Sequence, residues 1–282
     1  MNGYVKEKDS YFSRKLSAVA FGFQNGEYWI FNMMRRELEE YLNSYLNVPL
    51  IRDFCPNGLQ VEGKNGIKKI ATAVSANLMT LQKCAEEGFD ALIVHHGLFW
   101  NQDSHSLIGV KRKKVDLLLR HSISLFAYHL PLDAHREVGN NWQAARDLGW
   151  KDLEPFGEYN GIWIGVKGTF APQSIESFVV EVETYYEHSA TTALGGKRSV
   201  ASCALISGGA YKELPLAARA GIDCFITGNF DEPAWSVAHE EEVHFLALGH
   251  SATERVGPKA LAEHIQKQFG ITAIFLDVPN PF

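Results

Sequence analysis

The sequence predicts an α/β fold in which parallel strands alternate with amphipathic helices. Its 282 residues, of which 46% are hydrophobic, are enough to bury one large core or two modest ones. From Lys69 onward, short runs rich in β-branched residues alternate with segments of helical period. Glycine closes several of these helical segments, as at Gly88, Gly221 and Gly270, where a left-handed C-cap is easiest.

The elements follow from the hydrophobic period, in chain order. A first amphipathic helix opens at Met33, because Leu38 and Leu42 recur at helical spacing. The predicted strands are apolar runs bounded by turn residues: Ile70–Val74, Ala91–Val94, Ile123–Tyr128, Val200–Ile206, Cys224–Thr227, His244–Leu248 and Ala273–Leu276. The predicted helices lie between and after them: Leu78–Glu87, Val115–Arg120, Trp142–Leu148, Ile175–Tyr186, Leu214–Ala220, Glu232–Glu241 and Pro258–Phe269.

Two composition breaks indicate how the chain divides. The stretch 153–161 carries Pro155, Gly157 and Gly161, and a second break falls at Gly195-Gly196. We therefore predict two α/β domains, with the second inserted in the first: 33–154 and 236–282 for the first, and 155–235 for the second.

Residues 1–32 mix charged and aromatic residues without a signal-peptide cleavage pattern. We expect them to form a poorly packed N-terminal extension. One hypothesis is that the functional chain starts near Met33.

The composition narrows the class of partner and compartment. A formal net charge of −6 argues against a protein that wraps nucleic acid, and the basic run 111–114 is better explained as a solvated helix face. Four cysteines stand far apart without CxxC spacing, so they are expected to be buried or free thiols. No apolar stretch approaches the roughly 20 residues that span a bilayer. These features favour a cytoplasmic protein without a membrane partner.

Histidines and carboxylates follow three of the predicted strands. His95 and His96 end one apolar run, His129 and Asp133 follow another, and His250 follows a third. In open α/β sheets ligands bind beyond the carboxyl ends of the strands, so these side chains are expected to converge. Neighbours in a strand point to opposite faces, so we expect the strand to end before both histidines can act, with the following glycine forming the turn.

The number of ligands predicts two metal ions. Glu254 follows His250 by four residues, which on a helix puts both side chains on one face. A single catalytic zinc takes about three protein groups plus water, whereas the candidates here are three imidazoles and two carboxylates. The predicted metal ligands are His95, His96, Asp133, His250 and Glu254. Two ions with open positions can activate water as a nucleophile.

Two further features allow more than one interpretation. A lone histidine is more often structural than a ligand, and for His129 a hydrogen-bonding role beside the metals is favoured over coordination. Gly208-Gly209 lies between a strand and a helix, where backbone N–H groups could meet a phosphate, but it lacks the full glycine fingerprint.

A set of motifs in this order resembles the Nif-three-like dinuclear metal centre family, whose members are often labelled GTP cyclohydrolase I type 2 homologues. The resemblance covers residues 33–282. The motifs are Pro56-Asn-Gly-Leu-Gln-Val-Glu62-Gly63, Val94-His-His-Gly97 with Phe99-Trp100, His129-Leu-Pro-Leu-Asp133-Ala-His135, Gly139-Asn-Asn141, Gly208-Gly209, Ile226-Thr-Gly228, Gly249-His250 with Thr253-Glu254, and Pro279-Asn-Pro281.

The resemblance implies a two-domain fold of mixed sheets flanked by helices, a ring-shaped homohexamer, and two divalent ions per subunit, with zinc, iron or manganese all suited to the ligands. It assigns the same five ligands and makes Glu254 the residue that bridges the ions. One departure is Asn229, where the family usually has an acidic residue after Ile226-Thr-Gly228.

Two functions are compatible with these expectations. The first is a metal-dependent hydrolase acting on a nucleotide-like small molecule, with GTP ring opening as the activity that the family label implies. Glu254 and His129 are then the candidate catalytic residues. The second is a non-catalytic hexameric metal-binding assembly with a regulatory or protein-docking role. DNA association is disfavoured by the acidic charge.

Overall fold

A computed structural model describes residues 33–282, together with two short antiparallel strands at Phe23–Gln24 and Glu27–Tyr28. The expectation of a poorly packed extension at 1–32 otherwise falls outside the described residues and stays a prediction. The described part of the chain is a mixed α/β structure, as the sequence predicts.

The strands are named in chain order: β1 (Phe23–Gln24), β2 (Glu27–Tyr28), β3 (Met33–Met34), β4 (Gly58–Val61), β5 (Gly66–Ile67), β6 (Lys69–Ser75), β7 (Ala91–His96), β8 (Ser124–Ala127), β9 (Lys151–Tyr159), β10 (Ile162–Ser174), β11 (Thr191–Leu194), β12 (Ser199–Leu205), β13 (Cys224–Thr227), β14 (His244–Ala247) and β15 (Thr272–Phe275). The helices are α1 (Arg35–Tyr45), α2 (Leu78–Glu86), α3 (Gly109–Arg120), α4 (Leu130–Ala134), α5 (Asn140–Asp147), α6 (Ile175–Tyr186), α7 (Leu214–Arg219), α8 (Pro233–Glu240), α9 (His250–Thr253) and α10 (Val256–Phe269).

The first large sheet has the order β15-β6-β7-β8-β4. Four of its strands are parallel, and β4 joins the edge antiparallel to β8. Because side chains alternate along a strand, each strand supplies both faces. One face packs on α1 and α10, with Ile93 and Phe126 at its centre, and the other packs on α2 and α3, with Leu92 and Leu125. The sheet is therefore buried on both sides, as parallel sheets require.

The second large sheet has the order β11-β14-β13-β12-β10-β9. Its central strands β12, β13 and β14 are parallel, and antiparallel strands close both ends. The chain leaves the first sheet after β8 and returns to it with β15, and the second sheet spans Lys151 to Ala247. The domain limits at residues 155 and 235 stay a prediction.

The long hairpin of β9 and β10 lies where the sequence suggested a boundary. Its turn is Asn160-Gly161, with φ angles of 50° and 83°, and Tyr159 pairs with Ile162 across it. Two residues with positive φ make the type I′ turn that matches the twist of paired strands. Proline and glycine in this stretch therefore belong to a strand at the edge of the sheet and to its turn, where both are tolerated.

The two sheets share a repeated unit that the sequence does not make obvious. In each, a helix is followed by Gly-x-Asp, and the aspartate binds the backbone near the start of the preceding strand. Asp90 Oδ2 accepts hydrogen bonds from the backbone N–H groups of Lys68 and Lys69, at 2.7 and 3.0 Å. Asp223 Oδ2 accepts from Ala201 and Ser202, at 2.9 and 3.0 Å. The side chains considered next lie at the opposite, carboxyl ends of β7, β8 and β14.

Two further expectations concern the whole chain. All four cysteines are buried and unpaired, as predicted. Among the described residues, the helices are all too short or too polar to cross a membrane.

Candidate metal centre

His95 and His96 form the carboxyl end of β7, and both belong to the strand. The expectation that the strand ends before them is therefore wrong, and Gly97 makes no left-handed turn. A Cβ at Gly97 would lie 2.7 Å from the Ala127 Cβ, which cannot rotate away, so close packing requires the glycine. His95 is fully buried on the α1 face, and the His96 side chain is 20% exposed on the other face. Both rings still reach one carboxylate, because that carboxylate lies beyond the strand end.

Glu254 is that carboxylate, and it lies between three imidazoles. Its Oε1 is 3.4 Å from His95 Nε2 and 3.2 Å from His250 Nε2. Its Oε2 is 3.3 Å from His96 Nε2. Helix α9 begins at His250, and Glu254 directly follows its last residue, Thr253. The predicted four-residue spacing therefore still brings the two side chains together, with His250 Nε2 3.2 Å from Glu254 Oε1. Glu254 connects the ends of β7 and β14, which belong to different sheets.

Asp133 completes the set from helix α4, which follows β8. Its Oδ2 lies 3.5 Å from His95 Nε2. Its other oxygen, Oδ1, accepts hydrogen bonds from Asn140 Nδ2 at 2.8 Å and Ser207 Oγ at 2.9 Å. These two donors fix the orientation of the carboxylate. All five residues that the sequence singled out as ligands are thus brought together.

Two buried atoms of this cluster test whether a cation fits. Among the described residues, four buried polar side-chain atoms have no hydrogen-bond partner, and two of them are His95 Nε2 and Glu254 Oε2. A buried polar atom without a partner costs free energy, so native proteins rarely keep one without a ligand, ion or water. Imidazole nitrogen and carboxylate oxygen are both ligands of transition metals. The donor set fits a divalent cation.

The electrostatics of the cluster follow from burial and its carboxylates. Burial would lower the pKa of His95, but the charges of Asp133 and Glu254 outweigh it and raise the pKa to about 9. Burial lowers the pKa of His96 to about 3. Burial would raise the pKa of Glu254, but the nearby histidines hold it well below its usual range. At neutral pH Glu254 is therefore ionised and His96 is neutral, whereas a cation that binds here must displace the proton from His95.

Every imidazole around the cluster has its Nδ1 held by a partner outside the cluster. Nδ1 of His95 is 3.2 Å from the Tyr128 carbonyl oxygen, and Nδ1 of His96 is 3.1 Å from Ser75 Oγ. The other two contacts are His250 Nδ1 to Asn229 Oδ1 at 3.1 Å and His129 Nδ1 to Asp53 Oδ1 at 2.7 Å. A partner on Nδ1 leaves Nε2 to face the centre, which is the usual arrangement around metal-binding histidines.

His129 differs from the other three histidines in its surroundings. Its ring centroid is 4.9 Å from that of His95 and 5.7 Å from that of His96. His129 contacts the carboxylate of Asp53, whereas each of the other three histidines contacts the carboxylate of Glu254. Its ring nitrogen is near enough to those of His95 and His96, within 4.8 Å, for the three to form a candidate metal-binding group.

The segment from Asp53 to Asn57 supports the start of α4, a role that the sequence did not predict. Asn57 Oδ1 accepts from the His129 backbone N–H at 2.8 Å, and Asp53 Oδ2 accepts from that of Leu130 at 2.9 Å. Asp53 also belongs to a candidate metal group with Cys55 and His129. These two side chains therefore fix the start of α4. The signal in the sequence was the spacing of Asp53 and Asn57 just before β4.

Gly208 contacts the centre directly. Its φ is +67°, and a Cβ at this position would lie 2.3 Å from Glu254 Oε1. Its carbonyl oxygen accepts from the backbone N–H groups of Gly228 and Asn229, at 2.8 and 3.0 Å. In the glycine pair considered for phosphate binding, Gly208 therefore lets the backbone approach the Glu254 carboxylate.

Comparison with known proteins identifies relatives over most of the chain. The family described as Duf34/NIF3 (NGG1p interacting factor 3) matches residues 33–281. A Chlamydia pneumoniae protein named GTP cyclohydrolase 1 type 2 homolog is 50% identical over 248 residues, covering 87% of this chain and 98% of that protein.

Two solved structures have the same fold. The structure of protein ybgI, described as a protein of unknown function, superposes on this chain with a TM-score of 0.83. The two are 38% identical, over 89% of this chain and 100% of that one. The protein TTHA1606 from Thermus thermophilus gives a TM-score of 0.81 at 34% identity, over 89% of this chain and 100% of that one. With a family match over nearly the whole described chain, this protein belongs to the Duf34/NIF3 family.

Proposed function

We propose that this protein binds two divalent metal ions per subunit and hydrolyses a nucleotide-like substrate, with GTP ring opening as the reaction to test first. The ligands are the five residues of the cluster: His95, His96, Asp133, His250 and Glu254. The observation that carries the proposal is the pair of buried, unpartnered atoms His95 Nε2 and Glu254 Oε2. The name of the Chlamydia relative supports the choice of GTP.

Glu254 is the proposed bridging residue. Its two oxygens face different imidazoles, with Oε1 near His95 and His250 and Oε2 near His96. A carboxylate that turns one oxygen to each of two groups of donors can serve two ions. When bound, the ions would supply Lewis acidity that activates water and polarises a substrate oxygen.

His129 is the proposed proton carrier beside the ligands. Asp53 Oδ1 lies 2.7 Å from Nδ1, which favours a proton on that nitrogen and leaves Nε2 able to accept one from the reacting water. Asp53 carries a negative charge at neutral pH; burial would raise its pKa, but the contact with His129 outweighs this and lowers it. The His129 side chain is 14% exposed, so it can meet a substrate.

The experiment measures metal content and turnover on the same preparations. Wild type and Glu254→Gln are loaded with zinc, manganese or iron, analysed for bound metal by mass spectrometry, and incubated with GTP while formate is assayed. We expect two ions per wild-type subunit with formate release, and loss of both in Glu254→Gln. Glu240→Gln, at an exposed position, is the matched control and should behave as wild type. Wild type without bound metal would refute the proposal.

A second function is a non-catalytic metal-binding assembly with a regulatory or protein-docking role. Asn229 favours it, because a neutral amide stands beside His250 at the position where the family usually has an acid. In this case Glu254→Gln would change metal content while wild type releases no formate with any metal.

We propose a homohexamer of the 31.5 kDa chain. The exposed apolar residues Leu107, Ile108 and Val110 at the start of α3 support an interface between copies. Light scattering after size-exclusion chromatography should give about six times the mass of one chain, and a monomer would contradict this state.

A further inference from the structure

Three aromatic side chains border the cluster on the side of His129. The Trp100 ring lies edge-on to His129, with 5.1 Å between centroids. The Phe54 ring is 6.2 Å from His129 on another side and 5.3 Å from Tyr159. Phe54 is 47% exposed and Tyr159 is 37% exposed, although large apolar rings are normally buried. Exposed rings grouped beside a polar site are typical of a binding surface.

The positions of these rings are fixed by hydrogen bonds and by a tight turn. The Phe54 N–H donates to Asp53 Oδ1 at 2.6 Å, and the Phe54 carbonyl oxygen accepts from the Asn101 N–H at 2.8 Å. Asn101 follows Trp100, so this bond also ties the two aromatic segments together. Tyr159 is the last residue of β9, next to the type I′ turn, and comes from the second sheet. The backbone segments that carry the three rings are therefore held in place by contacts within the chain.

The neighbouring groups indicate a small planar ligand. The Trp100 ring is 5.9 Å from His96, so a ligand that contacts it also reaches the cluster. The His129 imidazole lies between Phe54 and Trp100 and offers a polar edge among apolar faces. A flat heteroaromatic ring has both features, a π-face that stacks on aromatic side chains and polar atoms at its edge. An aliphatic chain could contact the aromatic faces but would offer no polar atom to His129.

We propose that Phe54, Trp100 and Tyr159 form an aromatic subsite that stacks the heterocyclic ring of the substrate beside the metal centre. The inference deepens the proposed function and rests on it for the reaction, because ring opening requires the reacting carbon of the ring to lie within reach of the metal centre. The aromatic subsite selects for the ring, and the metal centre would supply the activated water.

The experiment separates the ring from the phosphates with three probes. Binding of GTP, guanosine and inorganic triphosphate is measured by calorimetry on protein of known metal content. Phe54→Ala and Tyr159→Ala test the aromatic subsite. Trp163→Ala is the matched control: Trp163 is 49% exposed on the same hairpin, but it pairs with Glu158 and so lies on the opposite face from Tyr159.

Stacking of one base on an aromatic side chain contributes about tenfold in affinity or more. We expect wild type to bind GTP at least about tenfold more tightly than triphosphate, and Phe54→Ala and Tyr159→Ala each to lose about tenfold for GTP and guanosine but not for triphosphate. Trp163→Ala should bind all three as wild type does. Metal content should be the same in every variant.

The outcomes distinguish the two proposals. Equal affinity of wild type for GTP and triphosphate, no binding of guanosine, or equal loss of all probes in Phe54→Ala would overturn the aromatic subsite, even with two metals bound. Guanosine binding that depends on Phe54 in a protein that takes up no metal would support the aromatic subsite and reject the metal-dependent function.

Discussion

Replacing Gly208 with alanine should remove metal binding while leaving the chain folded. The new Cβ would lie 2.3 Å from Glu254 Oε1 and 3.2 Å from His250 Nε2, so the carboxylate must move away from the imidazoles. Losing a group that only supports a ligand costs about 10- to 100-fold in metal affinity, and moving the ligand itself should cost at least as much. The positive φ adds about 1–2 kcal/mol of destabilisation.

Two other glycines separate these effects. Gly221 has a φ of +68° and nothing within 4 Å of its Cβ position, so Gly221→Ala carries the backbone cost alone. Gly209 has no positive φ, and its nearest contact is Asn229 Nδ2 at 3.4 Å, so Gly209→Ala carries neither. Metal titration by calorimetry and urea unfolding should show lost metal affinity only in Gly208→Ala. Wild-type metal affinity in that variant, or an equal loss in Gly221→Ala, would refute the reasoning.

Three further predictions follow from individual contacts. Asn229→Asp should strengthen metal binding several-fold, because a carboxylate beside His250 Nδ1 raises the basicity of the ligand; calorimetry showing weaker or unchanged binding would contradict it. Chelation should lower the unfolding temperature of wild type but not of Glu254→Gln, since only a bound ion stabilises the native state, by about 2.7 kcal/mol at 100 times Kd; an equal shift in both proteins would rule this out. Burial would raise the pKa of Asp90, but its bonds with Lys64 and the backbone lower it, so its stabilisation exists above the unfolded pKa of about 3.9 and disappears as pH falls through the folded value. The Asp90→Asn variant should therefore have a lower free energy of unfolding than wild type at pH 7, and this free energy should fall less than that of wild type when the pH is lowered. Urea unfolding at both pH values measures this, and an equal fall in the two proteins would exclude it.

Local sequence patterns predicted most of the elements. The runs around β6, β7, β8 and β13 are so consistently apolar that a buried parallel strand is the simplest interpretation. The left-handed C-caps at Gly88 and Gly221 were also correct, with φ angles of 69° and 68°. These features depend on short-range periodicity and backbone sterics, which the chain carries at every position.

The hairpin of β9 and β10 is an element that local sequence patterns did not predict. Its Asn160-Gly161 turn is a strong local signal, but Pro155 and Gly157 before it are unfavourable in a central strand. An edge strand tolerates such residues because one side of its backbone needs no partner. Whether a segment lies at an edge depends on the other strands of the sheet, so local sequence does not decide it.

The five residues of the candidate metal centre could be picked out from local patterns, because each follows an apolar run or lies one helical turn from another candidate. How they meet could not be predicted in this way: Glu254 connects strand ends from two different sheets, and Asp53 orients His129 across 76 positions of the chain. Residue type and local spacing are encoded in neighbouring positions, whereas the partners that orient a ligand, and the close approach that requires glycine at position 208, arise from packing between distant segments.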